Sequence, residues 1–245
     1  MMINKSQAIS LDTVLGKARN RIYRIAIELE GGWQTPPKGC EIVRDGSVSF
    51  RTSALVAGNL QYIGELQSGP IEVSTFPAWM HTCYPAAVNE TCGMHIHMSF
   101  KEAFRYARLM RPEFPATVLD YVGRWAQKEG LGKDHPIWAR LRGERDHCQP
   151  LYWADLQIKT TSKDYDKTRK GHRYTTINYP YGRYKTIECR LLPMMETEKL
   201  GIKAVQHVLD ITNAFLVVTA KRQDKTIAQL DDDGSELTVH RQEYV

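Results

Sequence analysis

The stretch 93-GMHIHMSF-100 places two histidines two residues apart within an otherwise apolar run. Successive side chains of an extended chain project from opposite faces, so this alternation predicts a half-buried β-strand. His95 and His97 project from one face, whereas Ile96 and the methionines on either side of it project from the other. The strand therefore has one face for the core and one face that carries two imidazoles.

Two further segments show the same alternation. In RIYRIAIELE, which ends at Glu30, the side chains of Glu28 and Glu30 share a polar face. In TIECRL, which starts at Thr186, the side chains of Thr186, Glu188 and Arg190 share one face. If these faces meet that of the histidine strand, three carboxylates, two imidazoles and a guanidinium lie in one concavity. Carboxylates with a minority of imidazole favour Mg²⁺ or Mn²⁺ over zinc as the neutralising cation.

Each of these pairs on its own has an ordinary structural interpretation. Glu28 with Glu30 is typical of the solvated face of an edge strand, and Glu188 with Arg190 is typical of a salt bridge between strands. Two alternating histidines are typical of polar surface contacts. The shared period of two on three amphipathic strands favours a common site over three independent surfaces.

The rest of the pattern predicts an α+β fold with a mainly antiparallel sheet, because strands come first as hairpins and helices come in blocks. Strands are predicted at 61–67, 71–74 and 174–179, a hairpin at 43–51 around Asp45-Gly46, and a loop at 31–40. Helices are predicted at 10–19, 101–111, 116–129, 136–142 and 197–222. The chain then divides into a lead-in (1–20), a single domain (21–222) and a C-terminal tail (223–245).

The composition is that of an ordinary globular chain, with 245 residues, 42% hydrophobic, 25% charged and a net charge of +5. There is no apolar run long enough to span a membrane, and the N-terminus lacks the apolar core of a signal peptide. Five cysteines without a C-x-x-C pair favour reduced thiols and a cytoplasmic location. The mildly basic net charge permits a nucleotide as ligand, and it neither indicates nor excludes nucleic acid.

The lysine-rich segment 159–173 is interpreted as a solvated loop or as a lid that closes on phosphates.

The stretch GMHIHMS resembles the G-M-H-x-H-M-S strand of glutamine synthetase, and TIECRL resembles its I-E-x-R-F strand. An ordered set of motifs within residues 21–216 resembles the amidoligase family of the carboxylate–amine ligase superfamily, to which glutamine synthetase and glutamate–cysteine ligase belong. The set comprises E-x-E (Glu28, Glu30), D-G-S (Asp45 to Ser47), G-E-L-x-S-x-P (Gly64 to Pro70), G-x-H-x-H (Gly93 to His97), R…N (Arg173, Asn178) and T-I-E-x-R (Thr186 to Arg190). The resemblance implies a catalytic domain like that of glutamine synthetase, with a curved antiparallel sheet and helices packed on one side.

The resemblance also implies sites for ATP and for two divalent cations, Mg²⁺ or Mn²⁺. The implied metal ligands are Glu30 and Glu65 on the acyl-substrate side, and Glu28, His95 and Glu188 on the side of the ATP phosphates. Glu72 competes with Glu65 for its place, and both stay open as ligands. The other implied residues are Arg190 on the transferring phosphoryl group, His97 facing the acid substrate, Arg173 and Asn178 on the substrate carboxylate or the leaving phosphate, and Lys185 with Arg190 and Asn178 at the nucleotide.

The implied activity is ATP-dependent joining of a carboxylate to an amine, which gives an amide or isopeptide bond through an acyl phosphate. Asp45 is a candidate base for the amine, although Asp45-Gly46 is equally typical of a turn. Where glutamine synthetase has N-G-S-G, this chain has 89-NETCG-93, so glutamate is not implied as the acid. The implied partners are small-molecule or peptide carboxylates and amines, and a homo-oligomer stays open. The alternatives are a guanidino kinase-like phosphotransferase, a non-catalytic metal- or nucleotide-binding protein, and a zinc hydrolase that uses His95, His97 and Cys92.

Overall fold

The computed structural model describes residues 10–145, 148, 175–179 and 185–231, with the backbone alone for 221–231. The helices are α1 (Leu11–Val14), α2 (Thr52–Gly58), α3 (Phe76–Cys83), α4 (Ala103–Leu109), α5 (Glu113–Lys128), α6 (Pro136–Leu141) and α7 (Glu198–Asp231), with a 3₁₀ turn at Val73–Thr75. The strands are β1 (Arg24–Trp33), β2 (Ile42–Val43), β3 (Tyr62–Gln67), β4 (Gly93–Ser99), β5 (Ile177–Asn178) and β6 (Ile187–Pro193). None of the described helices combines the length and the apolar character that a membrane crossing requires.

The strands of the described residues form one six-stranded sheet in the order β2-β3-β1-β4-β6-β5. Every neighbouring pair is antiparallel. The two strands with the clearest alternation, β1 and β4, lie side by side at its centre. The prediction of an α+β fold with an antiparallel sheet is confirmed.

One face of this sheet is the core. Ile25, Ile27 and Leu29 on β1 are almost fully buried, as are the methionines that flank Ile96 on β4. Helix α7 packs on this face, where the Thr212 hydroxyl lies 3.5 Å from the sulfur of Met98. Because the apolar residues of each strand share this buried face, their polar neighbours are left together on the other face.

The loop predicted at 31–40 begins later than expected, because β1 continues through Gly31 and Gly32 to Trp33. A Cβ at Gly31 would lie 2.5 Å from Cβ of Pro85, and a Cβ at Gly32 would lie 2.7 Å from Cδ1 of Leu60. Glycine at these two positions does not form a turn. It allows other segments of the chain to pack closely against the strand.

The predicted hairpin at 43–51 is wrong. Asp45 does form a turn, since its carboxylate accepts hydrogen bonds from the amide and hydroxyl of Ser47. However, the strand before the turn, β2, pairs with β3, and the chain after the turn enters α2. The turn is therefore a local feature, while the pairing of β2 is decided by a distant strand.

Other boundaries differ in smaller ways. The strand predicted at 71–74 is reduced to one bridge between Ile71 and Ile25, followed by the 3₁₀ turn. The helix predicted at 10–19 is only the single turn of α1, which is followed by Gly16 in a positive-φ conformation. The three helices predicted between 101 and 142 are confirmed as α4, α5 and α6, and α7 continues to Asp231, past the end predicted at 222.

Candidate functional site

The polar faces of the three predicted strands meet in the structure. The register of the sheet places Glu28 opposite His95, and His97 opposite Glu188. On the other side of β1, Glu30 lies opposite Glu65 of β3. Residues paired in this way have their side chains on the same face of the sheet, so four strands contribute to one polar cluster.

Glu28 is held by both histidines. Nδ1 of His95 lies 2.8 Å from Oε2 of Glu28, and Nε2 of His97 lies 3.1 Å from its Oε1. A carboxylate only accepts hydrogen bonds, so each imidazole donates a ring N–H to it. Burial opposes ionisation of Glu28, but these hydrogen bonds outweigh it and hold the pKa of the carboxyl below its ordinary value.

The two imidazoles have different second partners. Nε2 of His95 is 3.8 Å from Oε1 of Glu30, whereas Nδ1 of His97 is 3.2 Å from the hydroxyl of Thr186. Burial lowers the pKa of His97, but the hydrogen bond to Glu28 is among the contacts that raise it above its ordinary value. His95 thus bonds Glu28 through Nδ1 and turns Nε2 toward Glu30, and metal-ligating histidines commonly have one ring nitrogen bonded to a carboxylate in this way.

Glu188 is buried, with 4% of its surface exposed, and is held from two sides. Nη1 of Arg190 donates to its Oε1 at 2.5 Å, and the side-chain amide of Asn178 donates to its Oε2 at 2.8 Å. Burial opposes ionisation of Glu188, yet the charge of Arg190 and the nearby histidines keep its pKa below the ordinary value. Burial lowers the pKa of Arg190, but the ion pair with Glu188 outweighs burial and raises it above the ordinary value.

At the opposite end of the cluster, Glu30 and Glu65 approach Asp45. Oε2 of Glu30 accepts a hydrogen bond from the amide of Gly93 at 2.5 Å. Glu65 accepts one from Gln67 at 2.5 Å, but burial and the charge of Glu28 raise the pKa of Glu65. Part of this rise comes from like charge, because Glu28 and Glu30 lie beside Glu65.

Arg140 is a member of the site that the sequence reasoning missed. Its guanidinium is buried on α6 and donates to the carbonyl of Arg190 at 3.0 Å and to that of Cys92 at 3.3 Å. The peptide unit between Cys92 and Gly93 thus accepts from Arg140 through its carbonyl and donates to Glu30 through its amide. The sequence feature that indicates a buried Arg140 is the helical segment PIWARL. In it Arg140 follows the buried Ile137 by three residues, so both lie on the same side of the helix.

The remaining predicted residues are placed as follows. Glu72 lies outside the cluster, with a side chain 57% exposed and 3.4 Å from Arg24. Lys185 has an exposed side chain and a positive φ of 55°, and its carbonyl accepts a hydrogen bond from the hydroxyl of Tyr106. Arg173 and the segment 159–173 lie outside the described residues.

The donor set fits divalent cations. Among the described residues, three groups have ligand atoms within 4.8 Å of one another: Glu28, His97 and Glu188; Glu28, Glu65 and His95; Glu30, Asp45 and Glu65. These groups contain five carboxylates, and in the described part of the chain Glu188 is the one of them that pairs with Arg190. Oxygen-rich groups with at most one imidazole suit Mg²⁺ or Mn²⁺, and Cys92, whose thiol contacts Asn89, is in none of the three.

The chain was compared with protein-family models, with curated proteins and with solved structures, and no match was found. The resemblance to the amidoligase family is therefore carried by the ordered motifs alone.

Proposed function

We propose that the protein is an ATP-dependent carboxylate–amine ligase with a fold like the catalytic domain of glutamine synthetase. The observation that carries the proposal is the cluster around Glu28, in which carboxylates from three strands, both histidines and Arg190 share one face of an antiparallel sheet. The order of the motifs that supply these residues is that of the amidoligase family.

The chemistry of this reaction explains why such a cluster is needed. A carboxylate does not condense with an amine in water, so it must first accept the γ-phosphoryl group of ATP to become an acyl phosphate. Phosphoryl transfer needs positioning and neutralisation of charge more than covalent help from the protein. Mg²⁺ or Mn²⁺, bound among Glu28, Glu30, Glu65, His95 and Glu188, would supply the neutralisation.

The chain's own residues would divide the work according to their place in the cluster. Arg190, fixed by its pairing with Glu188, lies at the end where the phosphates would bind and can orient the transferring group. Asp45 lies at the other end, beside Glu30 and Glu65, and Ser47 holds its carboxylate in place. That position suits the proposed role of Asp45 in removing a proton from the amine.

The proposal is tested by trapping the acyl phosphate. The protein is incubated with ATP, Mg²⁺, hydroxylamine and a panel of small and peptide carboxylic acids. Hydroxylamine attacks an acyl phosphate to give a hydroxamate, which is measured together with ADP. Wild type should give both products with at least one acid, and Glu28→Gln should give neither. Glu72→Gln is the matched control, because Glu72 lies outside the cluster, and it should retain the activity.

The products also separate the ligase from a phosphotransferase. A kinase that phosphorylates a guanidino group would release ADP without hydroxamate and would leave a stable phosphorylated product. ADP release in Glu28→Gln equal to that of wild type would contradict the proposed site.

A further inference from the structure

A second charged region lies at the end of β1 and β4 that carries Arg24 and Ser99. A cavity of about 470 Å³ opens there between the segment before β1 and the start of α4. Its lining includes Arg19, Arg21 and Lys101. Arg24 is four residues before Glu28, which corresponds to about 13 Å along a strand, so this cavity is separate from the carboxylate cluster.

The cavity has more cations than its carboxylates neutralise. Glu102 pairs with Arg105 at 2.9 Å, and Glu72 pairs with Arg24 at 3.4 Å. Within the described part of the chain, no salt bridge joins Arg19, Arg21 or Lys101 to a carboxylate. These three cations therefore favour an anionic ligand at the cavity.

Two exposed aromatic rings, one in the cavity lining and one on α4 beside it, each lie next to cationic side chains. The ring of Tyr23, 42% exposed, has Nζ of Lys101 at 4.8 Å and Cζ of Arg24 at 5.4 Å from its centroid. Phe104, 51% exposed, has Cζ of Arg105 at 5.7 Å and Cζ of Arg108 at 5.0 Å. A ring flanked by cations is suited to stack on a base whose phosphate lies nearby.

The array of cations and rings extends past the cavity. Phe104 and Arg108 lie on α4 and are not part of the cavity lining. A mononucleotide would occupy the cavity alone, whereas a strand of several nucleotides would use both aromatic rings. The arrangement therefore fits a ligand in which phosphates and planar bases repeat.

We propose that this basic aromatic surface, formed by Arg19, Arg21, Tyr23, Lys101 and Phe104 with the arginines around them, binds single-stranded nucleic acid. The proposal is independent of the ligase activity, since it uses none of the residues of the carboxylate cluster. The cations would contact phosphates, and the rings of Tyr23 and Phe104 would stack on bases.

The test measures binding of a fluorescently labelled, mixed-sequence 12-nucleotide RNA by anisotropy at several salt concentrations. Tyr23→Ala should weaken binding roughly tenfold, which is the effect of losing one base stack. The logarithm of the binding constant falls linearly with the logarithm of the salt concentration, with a slope of about 0.7 for each phosphate contact. The double variant Arg21→Gln/Lys101→Gln should reduce the magnitude of this slope by about 1.4. The side chains of Tyr23 and Lys101 are exposed, and Arg21 is anchored through its backbone to Asn213 and Arg105, so the variants should fold.

The control is Lys133→Gln/Lys199→Gln, which removes the same charge from exposed positions elsewhere. Lys199 lies 14 residues from Asn213 on α7, about 21 Å away, and Asn213 is the residue that anchors Arg21. The control should bind RNA like wild type. The proposal is overturned if the control loses as much affinity as the Arg21/Lys101 variant, or if Tyr23→Ala binds like wild type. It is also overturned if ATP binds as tightly as the RNA and displaces it, since the surface would then be a mononucleotide pocket.

Discussion

Replacing Gly93 by alanine is expected to damage the carboxylate cluster while leaving the sheet intact. A Cβ at this position would lie 2.9 Å from Nη2 of Arg140 and 3.1 Å from Oε2 of Glu30. Ordinary contacts between such atoms lie near 3.5–4.0 Å, so one of the two side chains must move. Gly93 is not among the glycines with positive φ, so its backbone accepts alanine and the conflict is confined to these side chains.

Neither side chain can move without losing a hydrogen bond. Arg140 is buried and bound to two carbonyls, and Glu30 accepts from the amide of Gly93 itself. Overpacking of this kind costs about 1–3 kcal/mol of unfolding free energy. Disturbing a residue that orients a metal ligand typically weakens metal binding by about 10–100-fold, and we expect a loss in that range for Mn²⁺.

The assay is a calorimetric titration of Gly93→Ala with Mn²⁺, together with urea unfolding in the presence of a chelator. Gly132→Ala is the matched control, because a Cβ there meets no atom within 4 Å and it should bind Mn²⁺ like wild type. Mn²⁺ affinity of Gly93→Ala equal to that of wild type would refute the role given to this junction between Glu30 and Arg140.

Three further predictions concern stability and reactivity. Arg140→Met should lower the unfolding free energy by about 3 kcal/mol in urea titrations, because the carbonyls of Arg190 and Cys92 lose their partner, and Arg140→Lys should restore part of it. Burial lowers the pKa of His207 below its ordinary value of 6.5, so the unfolded chain binds the extra proton first. The stability that His207 contributes is therefore present above about pH 6.5 and is lost as the pH falls below it. The difference in unfolding free energy between pH 7.5 and pH 5.5 should be smaller in His207→Gln than in wild type. Burial raises the pKa of the Cys83 thiol to about 12, so a thiol reagent at pH 8 should label Cys83 far faster in unfolded than in native protein.

The features that the sequence predicts correctly are those whose cause is local. The alternation around His95 follows from the pleat of a single strand, and the same is true of Glu28 and Glu188. Their convergence follows as soon as β1, β4 and β6 are neighbours, since each strand has only one polar face. The residue pattern therefore predicts the polar face of each strand, and the order of the strands decides that these faces meet.

The features that the sequence does not predict depend on distant contacts. Arg140 reaches carbonyls that are 48 and 50 residues away in sequence. The choice between Glu65 and Glu72 depends on the register of β3 against β1, which places Glu65 opposite Glu30. Gly31 lies in a Gly- and Pro-rich segment that is typical of a loop. In the structure it belongs to β1, where it packs closely against Pro85.

The most direct test of the metal–nucleotide site is thermal unfolding with and without a non-hydrolysable ATP analogue at a fixed Mg²⁺ concentration. An analogue at 100 times its dissociation constant stabilises the native state by about 2.7 kcal/mol, or about 5–10 °C for a chain of this size. We predict this shift for wild type and for Glu72→Gln, and its loss in Glu188→Gln. No shift in wild type, or an equal shift in Glu188→Gln, would contradict the account.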